Sequence, residues 1–419
     1  MKRLNSAREL ARKRGPVSRI LSMLLFVSLI VWTHSGSATA PPEPHFIDPT
    51  AIVQCGAPYN PCSFGSNVYI GPFAILMAGS SAGNKKTAGI AIGNNSNVQD
   101  NTVLDATAGP ITLGENVIIA HGAAVYGGAS IGVTGNCRPT TIMVCASFVG
   151  FNSEVAEGAV VQRDAMVTHL AKVDAGVTIP SGRVVPPGVE IKTNKEAWKK
   201  TVKITEADRR FMADVIQVNV ALASGYTRLE SGDARSVCGI NRNPETDFAA
   251  SQLPTFGGVE KEEPGFPNRI IGRVAFSQSV VPAMGDHVSL RADEGTPFAV
   301  GTIGSLRDFT TFHALEHTQL KLGPGGEYGA GSLVHGGKDN NKITSTGSRF
   351  KLGDNAVYYN STAGDNCTIG EMSFVADSDL PSGSIVEPRH VYMNGIIRTI
   401  YWTRRARPRV KNDHDRCPR

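Results

Sequence analysis

The chain has 419 residues, enough for two substantial domains, and its 45 glycines with only 7% aromatic residues suit a turn-rich repeat better than a globular sandwich. The formal charge of +5 is concentrated at the start: taking Lys2, Arg3, Arg8, Arg12, Lys13, Arg14, Arg19 and Glu9 from the 42 basic and 37 acidic residues leaves 35 against 36. That balance lacks the electrostatic footprint of a nucleic-acid-binding protein, so no nucleic-acid partner is expected.

The early basic residues precede an apolar run at 20–32 and the small-residue stretch SGSATA at 35–40. The pattern reads as a signal peptide over residues 1–40, which implies an exported chain, in a bacterial periplasm or secreted; a retained membrane anchor is the alternative. Seven cysteines fit such a compartment. Cys55 with Cys62, and Cys137 with Cys145, are close enough to close small loops, while Cys238 and Cys417 lie outside the regular coils and Cys367 lies in one. At least one thiol is expected to be free or paired between chains. There is no CxxC pair, which argues against a finger-type zinc site.

From residue 46 the chain falls into short repeats. FIDPTAIV at 46–53 opens them, and Phe64, Ile70 and Leu76 take up a six-residue spacing. After a polar loop at 78–89 the spacing becomes regular, with Ile92, Val98 and Leu104, then Leu113, Ile119, Val125 and Ile131. A period of six punctuated by glycine is neither a helix stripe nor an alternating strand; it predicts very short strands stacked as a parallel β-helix. The coils continue to the proline- and glycine-rich exit at 177–191.

The period then changes. Phe211, Val215, Val218 and Leu222 recur at spacings of four, three and four, which predicts an amphipathic helix from Glu206 to Leu222, capped by Thr205 and ended by Gly225. Residues 230–270 show no sustained period and read as a linker. A second, less regular set of repeats follows, and a basic tail, RRARPRVK at 404–411, reads as a solvated end. The expected organisation is thus a leader at 1–40, a first β-helix domain with its helix at 41–229, the linker, a second β-helix domain at 271–400 and a tail at 401–419.

The motifs on the coils suggest a chemistry. SNVQDNTVLDA and IIAHGAAVYGG in the first half, and RADEGTPF, LRDFTTFHALE and YGAGSLVHGG in the second, resemble segments of the gamma-class carbonic anhydrases over most of residues 46–229 and parts of 280–395. The resemblance implies mainly-β, left-handed hexapeptide β-helix domains and a metal held between neighbouring prisms. One prism gives the first and last of three histidines and its neighbour gives the middle one. In the first half the outer positions fall on Asp105 and Tyr126, and only the middle one is kept, as His121. In the second half the outer pair is kept as His313 and His335, and the middle position falls on Ala330. Neither half holds a full set, but together they hold one.

The resemblance therefore implies a single divalent ion on His121, His313 and His335, zinc by preference with iron or cobalt as alternatives, and reversible hydration of carbon dioxide to bicarbonate. It further implies that Gln99 orients the attacking oxygen, Asn219 contacts bicarbonate, Glu294 moves the proton and Arg291, Asp293 and Asp100 pack the prisms together. His317 is a weaker proton-transfer candidate. Asp100 and Asp293 read equally well as turn or salt-bridge residues, and Asn219 as a helix-packing residue. The resemblance also implies a homo-oligomer, with association in threes as the family pattern. Two other functions fit a hexapeptide prism, a noncatalytic assembly protein and an acyltransferase with His121 or His335 as base; the latter lacks an evident coenzyme-binding element. Whether the split histidine set closes within a chain or between chains is open at this level.

Overall fold

In the computed structural model the described residues are 45–80, 89–137, 144–241, 268–272, 274–276, 283–294, 296–315, 318–337 and 343–408. The expected leader lies outside them. Among the described residues no helix is long and apolar enough to cross a membrane.

Two tandem parallel β-helices of the left-handed hexapeptide type make up the chain. The first prism has sheets of eight, seven and six strands, and the second has sheets of nine, five and four strands with an extra two-stranded pair. In the first prism Phe148 pairs with Met166 and Met166 with Val184, so one coil takes 18 residues, three edges of six. The six-residue pattern marks the inward positions: Ile92, Val98, Leu104, Leu113, Ile119, Val125 and Ile131 share one core, none more than 3% exposed. Each such side chain contributes about 1.5–3 kcal/mol by leaving water. Tight corners need left-handed backbone, which asparagine tolerates better than other residues with a Cβ. Asn67, Asn95 and Asn116 take it at one corner, and their amides bond up the stack at 2.9 and 3.3 Å.

The second prism is filled by larger groups, among them Phe312, Tyr328, Phe350 and Tyr358. Its later coils, Val357 to Phe374 to Val391, take 17 residues each. A coil one residue short of three equal edges, closed around aromatic rings, blurs the period that is so plain in the first half.

The long helix runs from Glu206 to Gly232, further than its sequence pattern suggests. Thr205 caps it in a reciprocal pair with Asp208. Gly225 does not end it, because Gly225 is buried and Tyr226 and Leu229 carry the apolar face onward. Ile240–Asn241 already pairs with Arg269–Gly272 in the second prism, so part of the expected linker belongs to that sheet; residues 242–267 lie outside the described set. Disulfides join Cys55 to Cys62 and Cys137 to Cys145, Cys238 is also disulfide-bonded, and Cys367 is a buried free thiol.

The prisms and the helix share an apolar seam. Ile118, Phe148 and Phe151 of the first prism meet Leu333, Val357 and Phe374 of the second, with Met212 and Ile216 of the helix alongside. Polar groups fix its register. At two corners of the first prism the left-handed Asn101 and Asn152 point their amides outward instead of up the stack. Asn101 donates to the carbonyls of His287 and Phe309 and to Thr311 Oγ1 at 3.0–3.3 Å, and Asn152 donates to the carbonyls of Gly331 and Asn355 at 3.0 Å. The described part of the tail, residues 401–408, is not a solvated end. It returns to the first prism, where buried Trp402 donates to the Leu170 carbonyl and Arg405 pairs with Glu154 and Glu157.

Replacing Asn101 by Asp keeps the left-handed preference but removes the donor and sets a carboxylate against three acceptors. Chemical denaturation of Asn101→Asp should show a loss of at least about 2 kcal/mol; unchanged stability would mean the seam does not depend on this contact.

Candidate metal centre

The strands Thr311–His313 and Leu333–His335 lie side by side in register, so His313 pairs with His335 and both rings stand on the face turned to the first prism. His121 enters from the other side, two residues past the strand Val117–Ile119. Its Nε2 is 3.0 Å from His313 Nδ1, which is 3.1 Å from His335 Nε2. All three rings are buried, at 2–4% exposure. The split set thus closes within one chain.

Three imidazole nitrogens at this spacing have chemistry on one side only. A single proton cannot satisfy three lone pairs, whereas a tetrahedral ion with 2.0–2.1 Å bonds sets its ligands roughly 3.3 Å apart. The outer nitrogen of His335 fits the same reading. His335 Nδ1 lies 2.7 Å from the Gly336 carbonyl, which fixes the proton there and leaves Nε2 as the acceptor facing its neighbours. His313 Nε2 lies 3.3 Å from Glu294 Oε1, and His121 Nδ1 lies 3.6 Å from Asp100 Oδ1, beyond hydrogen-bond reach. Burial pushes His121 well below the ordinary imidazole range, and the neighbouring His313, His335 and Arg291 push it further. His335 is lowered for the same first reason, with His313, His169 and Arg291 adding to it against the Gly336 carbonyl. Those two rings are therefore neutral near pH 7, the form a metal requires. The all-nitrogen, tightly spaced donor set is consistent with a divalent metal ion.

Behind the histidines lies a buried ionic knot that crosses the seam. Arg291, 1% exposed, donates from Nη1 to Asp100 of the first prism at 2.9 Å and from Nε and Nη2 to Asp293 at 3.1 and 2.7 Å. Ser289 donates to the other Asp100 oxygen at 2.5 Å, and Tyr226 of the long helix donates to Asp293 at 2.6 Å. Burial works against the Asp293 charge, and the Arg291 guanidinium outweighs it and holds the carboxyl below its ordinary value. Arg291 Nη2 also reaches Glu294 Oε1 at 3.4 Å, so Glu294 sits between the guanidinium and His313.

A cavity of about 160 Å³ opens onto the cluster. Gln99, Asn219, Glu294, His313 and His335 line it together with the rings of Phe148, Phe151 and Tyr359. Asn219 spends one amide hydrogen on the Val215 carbonyl at 2.8 Å, which turns its head group along the helix. His169 and Asp214 also line the cavity, and sequence reasoning passed over both. A signal for Asp214 was present: Phe211, Asp214, Val215, Val218 and Asn219 fall at i, i+3, i+4, i+7 and i+8, one helical face. The carboxyl of Asp214 is pushed up by partial burial, against the opposing charge of Arg210. His169 carried no such signal. It accepts from the Phe151 amide at 3.1 Å and stacks on the Phe151 ring, which in turn lies against His335.

The unused positions of the two half-sets are elsewhere. Asp105 and Tyr126 are paired in register on another sheet of the first prism, where Asp105 accepts from Thr107 and Tyr126 lies under the Arg405 guanidinium. Asp105, Tyr126 and Ala330 all lie outside the cluster. His317 lies outside the described residues.

No family model matches the chain. It is 31% identical over 211 residues to the carbonic anhydrase of Methanosarcina thermophila, an alignment spanning 44% of this chain and 76% of that protein. The chain belongs to the gamma-class carbonic anhydrase family. It is also 25% identical over 203 residues to the carboxysome assembly protein CcmM of a Nostoc species, spanning 45% of this chain and 33% of that protein. Among solved structures, a hexapeptide transferase family protein from Anaplasma phagocytophilum is 22% identical over 43% of this chain and 91% of its own, at a TM-score of 0.21. That overlap is too low to bear on function.

The lowered histidines have a consequence for metal-free protein. Their unfolded-state pKa is about 6.5, so below that pH the unfolded chain binds protons that the folded one refuses. The stability they contribute is present above about pH 6.5 and is lost as the pH falls. The denaturation midpoint of metal-free protein should therefore drop between about pH 7.5 and 5.5, and less so in the double variant His121→Gln/His335→Gln; equal slopes would show that these rings are not buried neutral.

Proposed function

We propose that the chain catalyses the reversible hydration of carbon dioxide to bicarbonate at a divalent metal, zinc by preference, held by His121, His313 and His335. The observation that carries this reading is the convergence of three buried imidazole nitrogens from two prisms, with His313 Nδ1 at 3.0 Å from His121 Nε2 and at 3.1 Å from His335 Nε2. A metal ion bound there supplies Lewis-acid activation of water at neutral pH. The residues of the chain do the rest. Phe148, Phe151 and Tyr359 give the cavity an apolar wall that suits an uncharged, linear substrate and holds bulk water back. Gln99, a neutral amide, orients the attacking oxygen without competing for the metal charge. Asn219 on the helix meets the product carboxylate. Glu294, placed between His313 and the Arg291 guanidinium, takes the proton released and passes it outward.

The disulfides Cys55–Cys62 and Cys137–Cys145 support export to an oxidising compartment. A homo-oligomer fits the family, although a site closed within one chain does not require it. The similarity to an assembly protein makes a noncatalytic scaffold the competing reading.

Full-length protein purified with its disulfides intact should carry one divalent ion per chain and hydrate carbon dioxide in a stopped-flow assay. His121→Ala, His313→Ala and His335→Ala should each lose most of the metal and all measurable activity. Glu294→Gln should keep its metal and lose roughly 10²–10⁴-fold in kcat, with partial recovery in concentrated imidazole buffer. Stoichiometric metal in all three histidine variants would defeat the proposal, and full metal without hydration activity in the wild type would favour the scaffold.

A further inference from the structure

The described part of the tail, residues 401–408, carries three arginines, and they are treated differently. Arg405 has carboxylates on both sides, Glu157 in a two-nitrogen contact and Glu154 at 3.3 Å. Arg404 and Arg407 have none among the described residues. Arg404 donates from Nη2 to the Gly122 carbonyl, and Arg407 Nη2 lies 3.9 Å from where a side chain on Gly122 would begin, so both guanidinium groups meet at this one turn. Arg407 also lies 4.7 Å over the Phe309 ring, on the second prism. The Nη1 nitrogens of both are shielded from solvent and have no hydrogen-bond partner.

Two like charges held together at a half-buried turn, each with one shielded donor left over, favour a counter-charge that joins them. Burial pushes both guanidiniums below their ordinary value, and the Arg404 charge pushes Arg407 further, down to about 9. A guanidinium does not give up its proton near neutrality, so the strain is relieved by an anion rather than by titration. Glu154, whose charge acts on Arg404, is shared with Arg405 at 3.3 Å and Lys172 at 3.9 Å.

We infer that Arg404, Arg407 and the Gly122 turn form a binding site for a small oxyanion, of the bicarbonate or phosphate class, which latches residues 401–408 across both prisms. Planar N–H donors from two arginines match several oxygens at once, which favours an oxyanion over a halide. Gly122 is fitted to the place: its φ is +68°, and any side chain there would collide with Asn152 Oδ1. The site adjoins His121 in sequence but uses none of the metal ligands, so it does not depend on the reaction proposed above.

Inorganic phosphate is the probe, titrated into metal-loaded full-length protein by calorimetry, with sodium chloride holding ionic strength constant. One saturable site per chain is expected. Arg407→Met should weaken it about tenfold or more, and should keep its metal. Arg405→Gln, which removes no donor from the pair, should stay within about threefold of wild type. Thermal unfolding gives an independent sign. Without phosphate, Arg407→Met should unfold no earlier than wild type, because one of two like charges at the turn has gone; saturating phosphate should raise the midpoint of wild type only. The inference fails if no saturable binding survives in chloride, if Arg407→Met binds phosphate as tightly as wild type, if the two variants weaken it equally, or if Arg407→Met is already the less stable protein in phosphate-free buffer. Phosphate that persists in Arg407→Met and disappears in His121→Ala would place the ion on the metal instead.

Discussion

Burying Arg291 at the seam is the commitment on which the rest of the molecule depends. A guanidinium taken out of water must be met by opposite charge and by hydrogen bonds on every side, or the desolvation cost exceeds the attraction. Here the counter-charges come from both prisms: Asp100 from the first and Asp293 from its own strand end, with Ser289 and Tyr226 filling the remaining lone pairs. Neither prism can satisfy that knot alone. It therefore fixes which faces meet and in what register, and the long helix is tied in through Tyr226.

The three histidines follow from that registration. His313 and His335 are set beside each other by strand pairing within the second prism, but their spacing to His121 is decided only by how the prisms dock. Glu294 is positioned by the same residue, since Arg291 reaches it as well as Asp293. The site is thus an interface product. Asp105, Tyr126 and Ala330 lie away from it and carry ordinary contacts, with Thr107, the Arg405 guanidinium and Asp354 respectively.

Much of this was legible in the sequence, and for physical reasons. The six-residue spacing from Ile92 to Ile131 is a direct record of an 18-residue coil with one inward aliphatic per edge, and all seven residues lie in the core. The second prism was harder to read because coils of 17 residues around Phe312, Tyr328 and Phe350 do not preserve that spacing. The histidine set was visible only as two complementary gaps, and the docking that brings it together involves residues some two hundred positions apart, such as Asn101 and Thr311, whose contact no local pattern encodes. Gly225 misled for a related reason: an isolated glycine marks a helix end by propensity, but tertiary packing of Tyr226 and Leu229 carries the helix through it. The tail misled because a run of arginines looks solvated until the carboxylates it meets, Glu154 and Glu157, are placed beside it by the fold.

Two incomplete prisms complete a single three-histidine cluster inside one chain. The direct measurement is complementation. His121→Ala and His313→Ala chains are co-expressed, purified together, and assayed for bound divalent metal against wild type handled in the same way. If the site closes within the chain, neither variant can repair the other, and the mixture should hold essentially no metal while wild type holds one ion per chain. Recovery of metal in the mixture, in proportion to mixed oligomers, would mean that the ligands come from different chains and would contradict the docking described here.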